Sequence, residues 1–516
     1  MTLQVYSTLS RKKDAFHKKP GEHVSMYVCG PTVYKPSHIG HMVGPVIFDT
    51  VKRYLTYLGF DVTWVVNITD VDDKLIVRAK ELNTTVPELA ERMTKDYHSC
   101  LTLLNVTGID RFPKATEHIG GMIAIIAKLV ETEHAYPANG DVYFDVAKDA
   151  DYGKLCGFDP EQLEGGTRME ASSKKRNPGD FALWKGAKPG EPKEVTWDSP
   201  WGPGRPGWHI ECSAMSQQLL GDTIDIHGGG LDLRFPHHEN ELAQSESYTE
   251  KPFSRIWMHN GLLKLRTGKM AGSLGNVLNV ADAVKVVNGE VLRFFMLNTH
   301  YRSPIDLGDW EPTPGSIPSG LLNAQKAFDT FVRFADRYRR IMGKSFYAID
   351  APTKGNHRRR FAADLGEYMQ RFGEHMDDDF NTGGAVGVLF ELATSMNRMA
   401  DAGHLEDSAP KRDEAVLPVF VEGAMLMKEM GQILGIFLQK PEEVKLGGDD
   451  NLVAGLMELL IELRNNLRAT AKGIADKADP TKKILFDQTD LIRKRLGDLH
   501  VTLEDRAGGT TWRVGS

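Results

Sequence analysis

The feature that most constrains the fold is a short apolar strand followed by a Gly/Pro-rich turn, a helix and a second apolar strand. The pattern predicts the first strand at residues 26–28, a helix that begins close to His38, and the second strand at residues 62–66. Apolar residues recur along the helix at the spacing of a buried face, and Pro45 is expected in its first turn, where proline is tolerated. In strand–helix–strand units ligands bind where strand ends meet helix N-termini, so a binding site is expected at this turn.

The turn carries the tetrapeptide His38-Ile39-Gly40-His41. Gly40 has no side chain, so a planar base or a phosphate can approach the backbone there. His38 and His41 can donate hydrogen bonds to phosphate oxygens from the positive end of the helix dipole. Taken alone, the tetrapeptide is better explained as a helix start that happens to carry two histidines. A phosphate-binding role therefore needs support from the rest of the chain.

Length and composition limit the class of protein. A chain of 516 residues is too long for one core, so two to four domains are expected. No apolar run approaches the ~18 residues that cross a membrane, and the first residues lack the pattern of a signal peptide. Four cysteines favour a reducing compartment, and we expect a cytoplasmic protein. The net charge of −7 restricts any nucleic-acid site to a local patch.

Several segments rich in polar residues or glycine are candidate parts of a site. Residues 67–74 follow the second strand with amides and acids that suit Mg²⁺, ribose hydroxyls or an ammonium group, or merely an acid-rich helix start. Residues 200–212 mix Gly, Pro and Trp, which is typical of a binding loop. A short strand at residues 224–226 runs into His227 and three glycines, which let the backbone close on a ligand.

Four residues that are distant in sequence offer metal ligands. Cys29 ends the first strand, Cys212 lies in the Trp-rich loop, and His237 and Glu241 share one face of a predicted helix. Two sulfurs favour zinc over magnesium or calcium. Spacing alone does not carry the assignment, because distant cysteines are more often core residues, as we expect for Cys100 and Cys156.

The second half of the chain changes to a helical pattern. A polar loop with a cation, residues 269–276, precedes it, and a lysine there suits either phosphate contacts or an ordinary surface. From Pro312 onward apolar residues alternate by three and four, and Asn381 is a candidate helix cap. The tail carries clustered Lys and Arg with Trp512, which suit RNA and a soluble helix face equally.

These pieces together resemble the cysteinyl-tRNA synthetases, which are class I aminoacyl-tRNA synthetases. The resemblance covers nearly the whole chain, through His38-Ile39-Gly40-His41, 67–74, 174–185, 207–215, 227–230, 235–241, 377–382 and 509–512. So many motifs in one order lift each interpretation above its alternative. The resemblance implies an α/β fold with a Rossmann-type catalytic domain and stem at 1–310, an insertion at about 112–198, an α-helical bundle at 311–440, and a small anticodon-binding region at 441–516.

The resemblance also implies the substrate and the metal. In that family the residues that match Cys29, Cys212, His237 and Glu241 hold one zinc ion, which binds the substrate cysteine as thiolate. Serine differs by one atom, and a shape-matched pocket separates near-isosteres by only ~1–3 kcal/mol. The preference of zinc for thiolate over hydroxyl then supplies the selectivity. The residues assigned to the cysteine pocket are Cys29, Gly30, Thr69 and Trp208.

The implied reaction forms cysteinyl-adenylate from ATP and transfers the cysteinyl group to the terminal adenosine of tRNA(Cys). His38, His41 and Lys269 are the predicted catalytic residues. Mg²⁺ accompanies ATP, and the predicted ATP-binding residues are His38, Gly40, His41, His227, Gly228, Gly229, Lys269, Met270 and Ser273. The expected partners are tRNA(Cys), L-cysteine and ATP, with no membrane and with a monomer favoured over a dimer.

One loop departs from the family. The second signature of the family reads Lys-Met-Ser-Lys-Ser, whereas this chain has Gly272 in place of the second lysine. Glycine cannot stabilise charge in a transition state, so we hypothesise that Lys269, Lys264 or Arg266 compensates, or that activation is slow. Two alternatives remain open at this point: a ligase that joins cysteine to an amino sugar in mycothiol synthesis, and a non-catalytic tRNA- or zinc-binding paralogue.

Overall fold

The computed structural model describes residues 2–157, 174–265, 277–313, 315–355, 361–362, 364–407, 410–440, 450–476, 479–499, 501–506 and 509–514. Two compact units are present. One consists of Met1–Glu406 with Asp413–Gln439, and the other of Asp407–Arg412 with Lys440–Ser516. The domain boundaries predicted from the sequence, at 310 and 440, stay a prediction.

A four-stranded parallel sheet forms the centre of the first unit. The elements before residue 112 are β1 (Gln4–Ser7), β2 (Lys12–Ala15), β3 (His23–Val28), α1 (Ile39–Tyr57), β4 (Asp61–Val66), α2 (Asp73–Glu81) and α3 (Val86–Leu103). The predicted strand–helix–strand unit is therefore confirmed as β3–α1–β4. Pro45 was expected in the first turn of its helix, but it is the seventh residue of α1 because that helix begins at Ile39.

The next part of the chain contains a separate antiparallel sheet. Its elements are α4 (Ile119–Glu131), β5 (Ala135–Ala138), β6 (Asp141–Phe144), β7 (Phe181–Gly186) and β8 (Gly204–Pro206). The four strands pair in sequence order, β5-β6-β7-β8. Lys185 on β7 and Arg205 on β8 both form ion pairs with Asp73 at the start of α2, which connects this sheet to the part of the chain that holds β3, α1 and β4.

The chain then returns to the central sheet. The elements are α5 (Trp208–Leu220), β9 (Ile224–Gly230), α6 (Glu239–Thr249), β10 (Ser254–Asn260), β11 (Leu263–Lys264), α7 (Val280–Ala283), α8 (Gly289–Leu297) and β12 (Ile305–Asp306). The strand order is β10-β9-β3-β4, so the chain leaves β3 toward β4 and later returns on its other side as β9. The carboxyl ends of β3 and β9 therefore meet at a topological switch point, where ligands bind in such sheets.

The glycines of β9 belong to the strand itself, whereas a loop after residue 226 was expected. A β-carbon on Gly228 would lie 2.1 Å from Phe48 Cζ, so glycine is what allows α1 to pack this closely on the sheet.

Helices complete the first unit, namely α9 (Ser319–Met342), α10 (Leu365–Asp377), α11 (Thr382–Ala402) and α12 (Leu417–Leu434). The apolar face predicted for α9 is buried, and Asn381 caps α11 by accepting a hydrogen bond from the amide of Gly384. Three consecutive acids tie this region to other elements: Asp377 to Tyr54, Asp378 to Lys13 and Asp379 to Arg302.

The second unit consists of two helices and a hairpin: α13 (Asp450–Gly473), α14 (Pro480–Asp498), β13 (Val501–Arg506) and β14 (Gly509–Val514). Its best-formed polar contact is the buried guanidinium of Arg464, which donates to both carboxylate oxygens of Asp505 at 2.7 and 2.8 Å. Arg493, from the predicted basic cluster, also pairs with Asp505. Across the described residues of both units, no helix has the length and apolarity needed to span a membrane.

Candidate functional site

The two histidines of the tetrapeptide cap the helix that they begin. His38 is the N-cap of α1, and its Nδ1 accepts a hydrogen bond from the amide of Gly40 at 3.1 Å. The Nδ1 of His41 accepts in turn from the amide of His38 at 3.4 Å. The two rings stack with centroids 3.6 Å apart.

This arrangement fixes what the rings can offer a ligand. A neutral imidazole whose Nδ1 accepts a hydrogen bond carries its proton on Nε2, so both rings present an N–H donor on the far side. Burial and the charge of Lys35 lower the pKa of His38, and burial and His38 lower the pKa of His41 to about 3. Both side chains are therefore neutral donors at pH 7, at a helix N-terminus that suits phosphate.

The carboxyl end of β3 lies directly beside β9. The amide of Cys29 donates to the carbonyl of Gly228 at 3.1 Å. The amide of Gly30 donates to Asn67 Oδ1 at 2.8 Å, and a β-carbon on Gly30 would lie 1.8 Å from the carbonyl oxygen of Asn67. Glycine is therefore required at residue 30 for the strand ends to approach this closely.

The four predicted metal ligands come together at this point. Their ligand atoms all lie within 4.8 Å of one another. Cys29 Sγ is 3.6 Å from Cys212 Sγ and 3.3 Å from Glu241 Oε1, and Cys212 Sγ is 3.6 Å from His237 Nε2. Donors at tetrahedral zinc bond lengths lie about 3.3–3.8 Å apart, so these three separations fit zinc. His237 Nε2 and Glu241 Oε1 are closer, at 2.8 Å, because they share a hydrogen bond.

The charge of this set also calls for a cation. Burial alone would raise the pKa of Glu241, but His237 and His227 hold it well below its usual value. Burial alone would lower the pKa of His237, but Glu241 and Cys212 raise it to about 10. Without a metal, a proton on His237 balances the buried carboxylate. A divalent ion would replace that proton, and the two sulfurs select a thiophilic one.

Neighbouring rings orient the ligand set. His209 Nδ1 lies 2.9 Å from His237 Nδ1, which leaves His237 Nε2 to face the sulfurs. His227 Nε2 lies 2.8 Å from Glu241 Oε2, the oxygen that faces away from Cys29. The ring of Trp208 stacks on His237 at 3.9 Å and forms one wall of the site. Because the side chain of His227 is fully buried against Glu241, any contact from His227 to a nucleotide would come from its main chain.

The structure surrounds the ligand set with further polar contacts, and some of them come from residues that the sequence patterns did not single out. Thr8 Oγ1, His259 and His238 form a buried chain of 2.8 Å contacts beside the ligand set. Thr69 Oγ1 donates to Glu211 Oε2 at 2.8 Å, and burial followed by the proximity of Cys212 raises the pKa of Glu211 well above its usual value. His259 lies near the carboxyl end of β10, so the rule that ligands bind at strand ends could have found it. Thr8 gave no sequence signal.

Lys269, Met270 and Ser273, with Arg266 and Gly272, lie outside the described residues. The chain on either side of them is well anchored. Before them, β11 pairs with β12 in parallel. After them, the carbonyl of Leu278 accepts from the amide of Ile39, and the amide of Val280 donates to the carbonyl of Ser37. The described chain that follows the predicted phosphate-binding loop therefore contacts the turn that holds His38.

Two family models match the chain. A model described as "tRNA synthetases class I (C) catalytic domain" matches residues 15–311. A model described as "DALR domain" matches residues 371–439. The first match covers more than half of the chain, including the parallel sheet and the ligand set.

The chain is also similar to known proteins over almost its full length. It is 42% identical over 517 residues to a protein named "Cysteine--tRNA ligase" from Heliobacterium modesticaldum, covering 99% of this chain and 100% of that protein. A protein of the same name from Coxiella burnetii is 41% identical, with coverage of 99% and 100%.

Among solved structures, a Mycobacterium tuberculosis methionyl-tRNA synthetase bound by methionyl-adenylate matches with a TM-score of 0.56 at 14% identity, covering 82% of this chain and 91% of that one. At that identity the likeness shows the fold alone. The near-complete match to the curated relatives and the catalytic-domain match decide the family: this chain belongs to the cysteine–tRNA ligases of the class I tRNA synthetases.

Proposed function

We propose that the chain activates L-cysteine with ATP and transfers it to the 3′-terminal adenosine of tRNA(Cys), while a zinc ion on Cys29, Cys212, His237 and Glu241 holds the thiol. ATP-dependent ligation of cysteine to tRNA is the activity of the family. The observation that carries the finer proposal is the position of the thiophilic set, whose first member, Cys29, directly follows β3 on the segment that leads into the capped turn at His38. We further propose that the chain acts in the cytoplasm as a monomer, with Mg²⁺ accompanying ATP.

The protein has little covalent chemistry to perform in this reaction. A carboxylate oxygen of cysteine attacks the α-phosphorus of ATP, and the bond to the bridging oxygen breaks, so that pyrophosphate leaves with the electron pair. A ribose hydroxyl of the tRNA then attacks the carbonyl carbon and AMP leaves. Positioning and charge stabilisation therefore account for the rate. The Nε2–H groups of His38 and His41 are our candidates for donors to the phosphates.

Selection of cysteine is the part that the ligand set explains. When bound, zinc supplies a coordination position that prefers thiolate to hydroxyl. Trp208 bounds the same pocket through its stack on His237 and excludes larger side chains. A pocket that worked by shape alone would separate cysteine from serine by about 10- to 200-fold.

The test is amino-acid-dependent exchange of labelled pyrophosphate into ATP, with cysteine and with serine. We expect exchange with cysteine and a preference over serine larger than about 10³-fold, beyond what shape alone gives. In Cys212→Ser we expect loss of stoichiometric zinc by atomic absorption and loss of exchange. Cys156→Ser is the matched control, since Cys156 is buried but lies outside the ligand set.

Three results would contradict the proposal. A cysteine preference within the range of shape selection, or full exchange in metal-depleted protein, would remove the role of zinc. Exchange with cysteine but transfer to an amino sugar in place of tRNA(Cys) would favour the mycothiol-type ligase, which the full-length similarity does not favour.

A further inference from the structure

A groove lies beside the catalytic turn and is not used by the chemistry described above. It has a volume of about 410 Å³ and is lined by seven residues: Tyr34, Lys35, Asp73, Lys74, Val77, Arg78 and Glu81. We refer to it as the Tyr34 groove. The half-buried ring of Tyr34 forms its base, and the exposed side chain of Val77 adds an apolar rim.

The main chain on both sides of Tyr34 is fixed against the active-site half of the sheet. The amide of Val33 donates to the carbonyl of Thr69 at 3.2 Å, and the amide of Ser37 donates to Asp96 Oδ2 at 2.7 Å. Tyr34 therefore lies on a short, anchored segment that leads directly into His38.

The groove carries uncompensated positive charge. The ammonium groups of Lys35 and Lys74 lie 5.2 and 5.7 Å from the centroid of the Tyr34 ring. Across the described parts of the chain, neither has a carboxylate within ion-pairing distance. The acids of the groove are already paired, Asp73 with Lys185 and Glu81 with Arg78.

An accessible aromatic ring with flanking cations is the combination that holds single-stranded nucleic acid. Bases stack on the ring, and the cations meet the phosphates. A nucleobase also has a π face and can take the place of an ammonium group on Tyr34, which leaves that ammonium free to meet the backbone. Paired RNA would contact the lysines but could not stack, because its bases are covered by their neighbours.

We propose that the Tyr34 groove binds the unpaired 3′ end of the RNA substrate, with a base stacked on Tyr34 and its phosphates on Lys35 and Lys74. This inference rests on the proposed function, because it assumes that tRNA is the acceptor. It adds a binding site for the segment of RNA that must reach the adenylate.

The experiment compares binding of two RNAs to the full-length protein: tRNA(Cys), and the same tRNA without its unpaired 3′-terminal nucleotides. We expect Tyr34→Leu to weaken binding of the intact tRNA by about 10-fold and to leave binding of the shortened tRNA unchanged. Tyr34→Phe keeps the ring and should bind both as the unaltered protein does. Replacing both lysines, Lys35→Ala with Lys74→Ala, should reduce the slope of log K against log salt by about 1.4 for intact tRNA only.

Lys80→Ala is the matched control, because Lys80 is an exposed lysine that lies on α2, as Lys74 does, but outside the groove. An equal loss of affinity for both RNAs in Tyr34→Leu, or no loss for either, would overturn the assignment. Cysteine-dependent pyrophosphate exchange by the unaltered protein separates failure of the proposed function from failure of the groove assignment. If the unaltered protein shows no exchange, the proposed function is wrong. If it shows exchange but Tyr34→Leu does not change RNA binding, only the assignment of the Tyr34 groove is wrong.

Discussion

At the residue scale, the capping hydrogen bonds of His38 and His41 decide their chemistry. Each Nδ1 is engaged by a main-chain amide, so each ring is held in one tautomer with a donor on Nε2. Burial keeps His41 neutral, which spares the active site a charge that would have to be desolvated when ATP binds. The sequence predicted both residues as phosphate donors, but the neutral form depends on ring stacking and burial, which follow only from the packed structure.

We therefore predict different effects for two replacements of His41. His41→Asn places an amide near Nδ1 and removes the Nε2 donor, and should lower the rate constant of cysteine activation by about 10²-fold. In His41→Gln the side-chain amide reaches the Nε2 position, so the rate constant should fall less than in His41→Asn. Because the pKa of His41 is about 3, its protonation should not change the rate between pH 6 and pH 8. Pre-steady-state formation of the adenylate measures these rates, and equal losses in the two variants would argue against an Nε2 contact.

At the element scale, the ligand set is assembled from one strand end and two helices. Cys29 follows β3, Cys212 lies on α5, and His237 lies two residues before the start of α6, so that it faces Glu241 in the first turn. The four-residue spacing of His237 and Glu241 could be read from the sequence. Their approach to the two cysteines could not, because it depends on β9 returning next to β3.

His209 gives a prediction about how that set is oriented. It contacts His237 Nδ1 at 2.9 Å, so it should hold the ring with Nε2 toward the metal. We expect His209→Ala to weaken zinc binding by 10- to 100-fold, as measured by competition with a chromogenic chelator. His134→Ala, on a half-buried histidine directly before β5, is the control. Unchanged zinc affinity with reduced activity would show that His209 acts on the substrate instead.

At the scale of the whole molecule, one buried arginine joins the catalytic half of the first unit to its helical part. Arg293 on α8 donates to Asp49 Oδ2 on α1 at 2.7 Å and to the carbonyl of Leu434 on α12 at 2.6 Å. It also donates to the carbonyls of Leu104 and Asn105. Burial alone would raise the pKa of Asp49, but Arg293 and Arg53 keep it below its usual value, so the carboxylate is charged.

Removing Arg293 should therefore destabilise the protein strongly. Arg293→Met leaves a buried carboxylate and several carbonyls without their donor, and should lower the free energy of unfolding by about 3–5 kcal/mol. Arg293→Lys keeps the positive charge but loses the planar set of N–H donors. Its free energy of unfolding should therefore lie between those of Arg293→Met and the unaltered protein. Urea denaturation measures the difference. Arg333→Met, on the exposed side of α9, is the control and should change the free energy of unfolding by no more than about 0.5 kcal/mol. A similarly small change in Arg293→Met would contradict the prediction.

The long-range arrangement of the molecule was predictable only through the family resemblance. Local patterns predicted β3, α1, β4 and the buried face of α9, because each rests on spacing within a single element. They gave no sign of the β1–β2 hairpin, or of Arg293, which looks in sequence like any arginine within an apolar helix. Contacts between elements depend on the order of strands, and local spacing contains no information about that order.

The separation between the first and the last metal ligand has a consequence for synthesis of the chain. Cys29 and Glu241 lie 212 residues apart, and Cys212, His237 and Glu241 all follow the antiparallel sheet. At ordinary rates of translation, Cys29 would wait on the order of 10–40 s before its partners leave the ribosome. Any folding of the β3–α1–β4 unit during that interval would proceed without the proposed zinc ion, and Cys29 would have to stay reduced until its partners are made. Zinc in this protein would be acquired late, as a completing step rather than as a nucleus for folding.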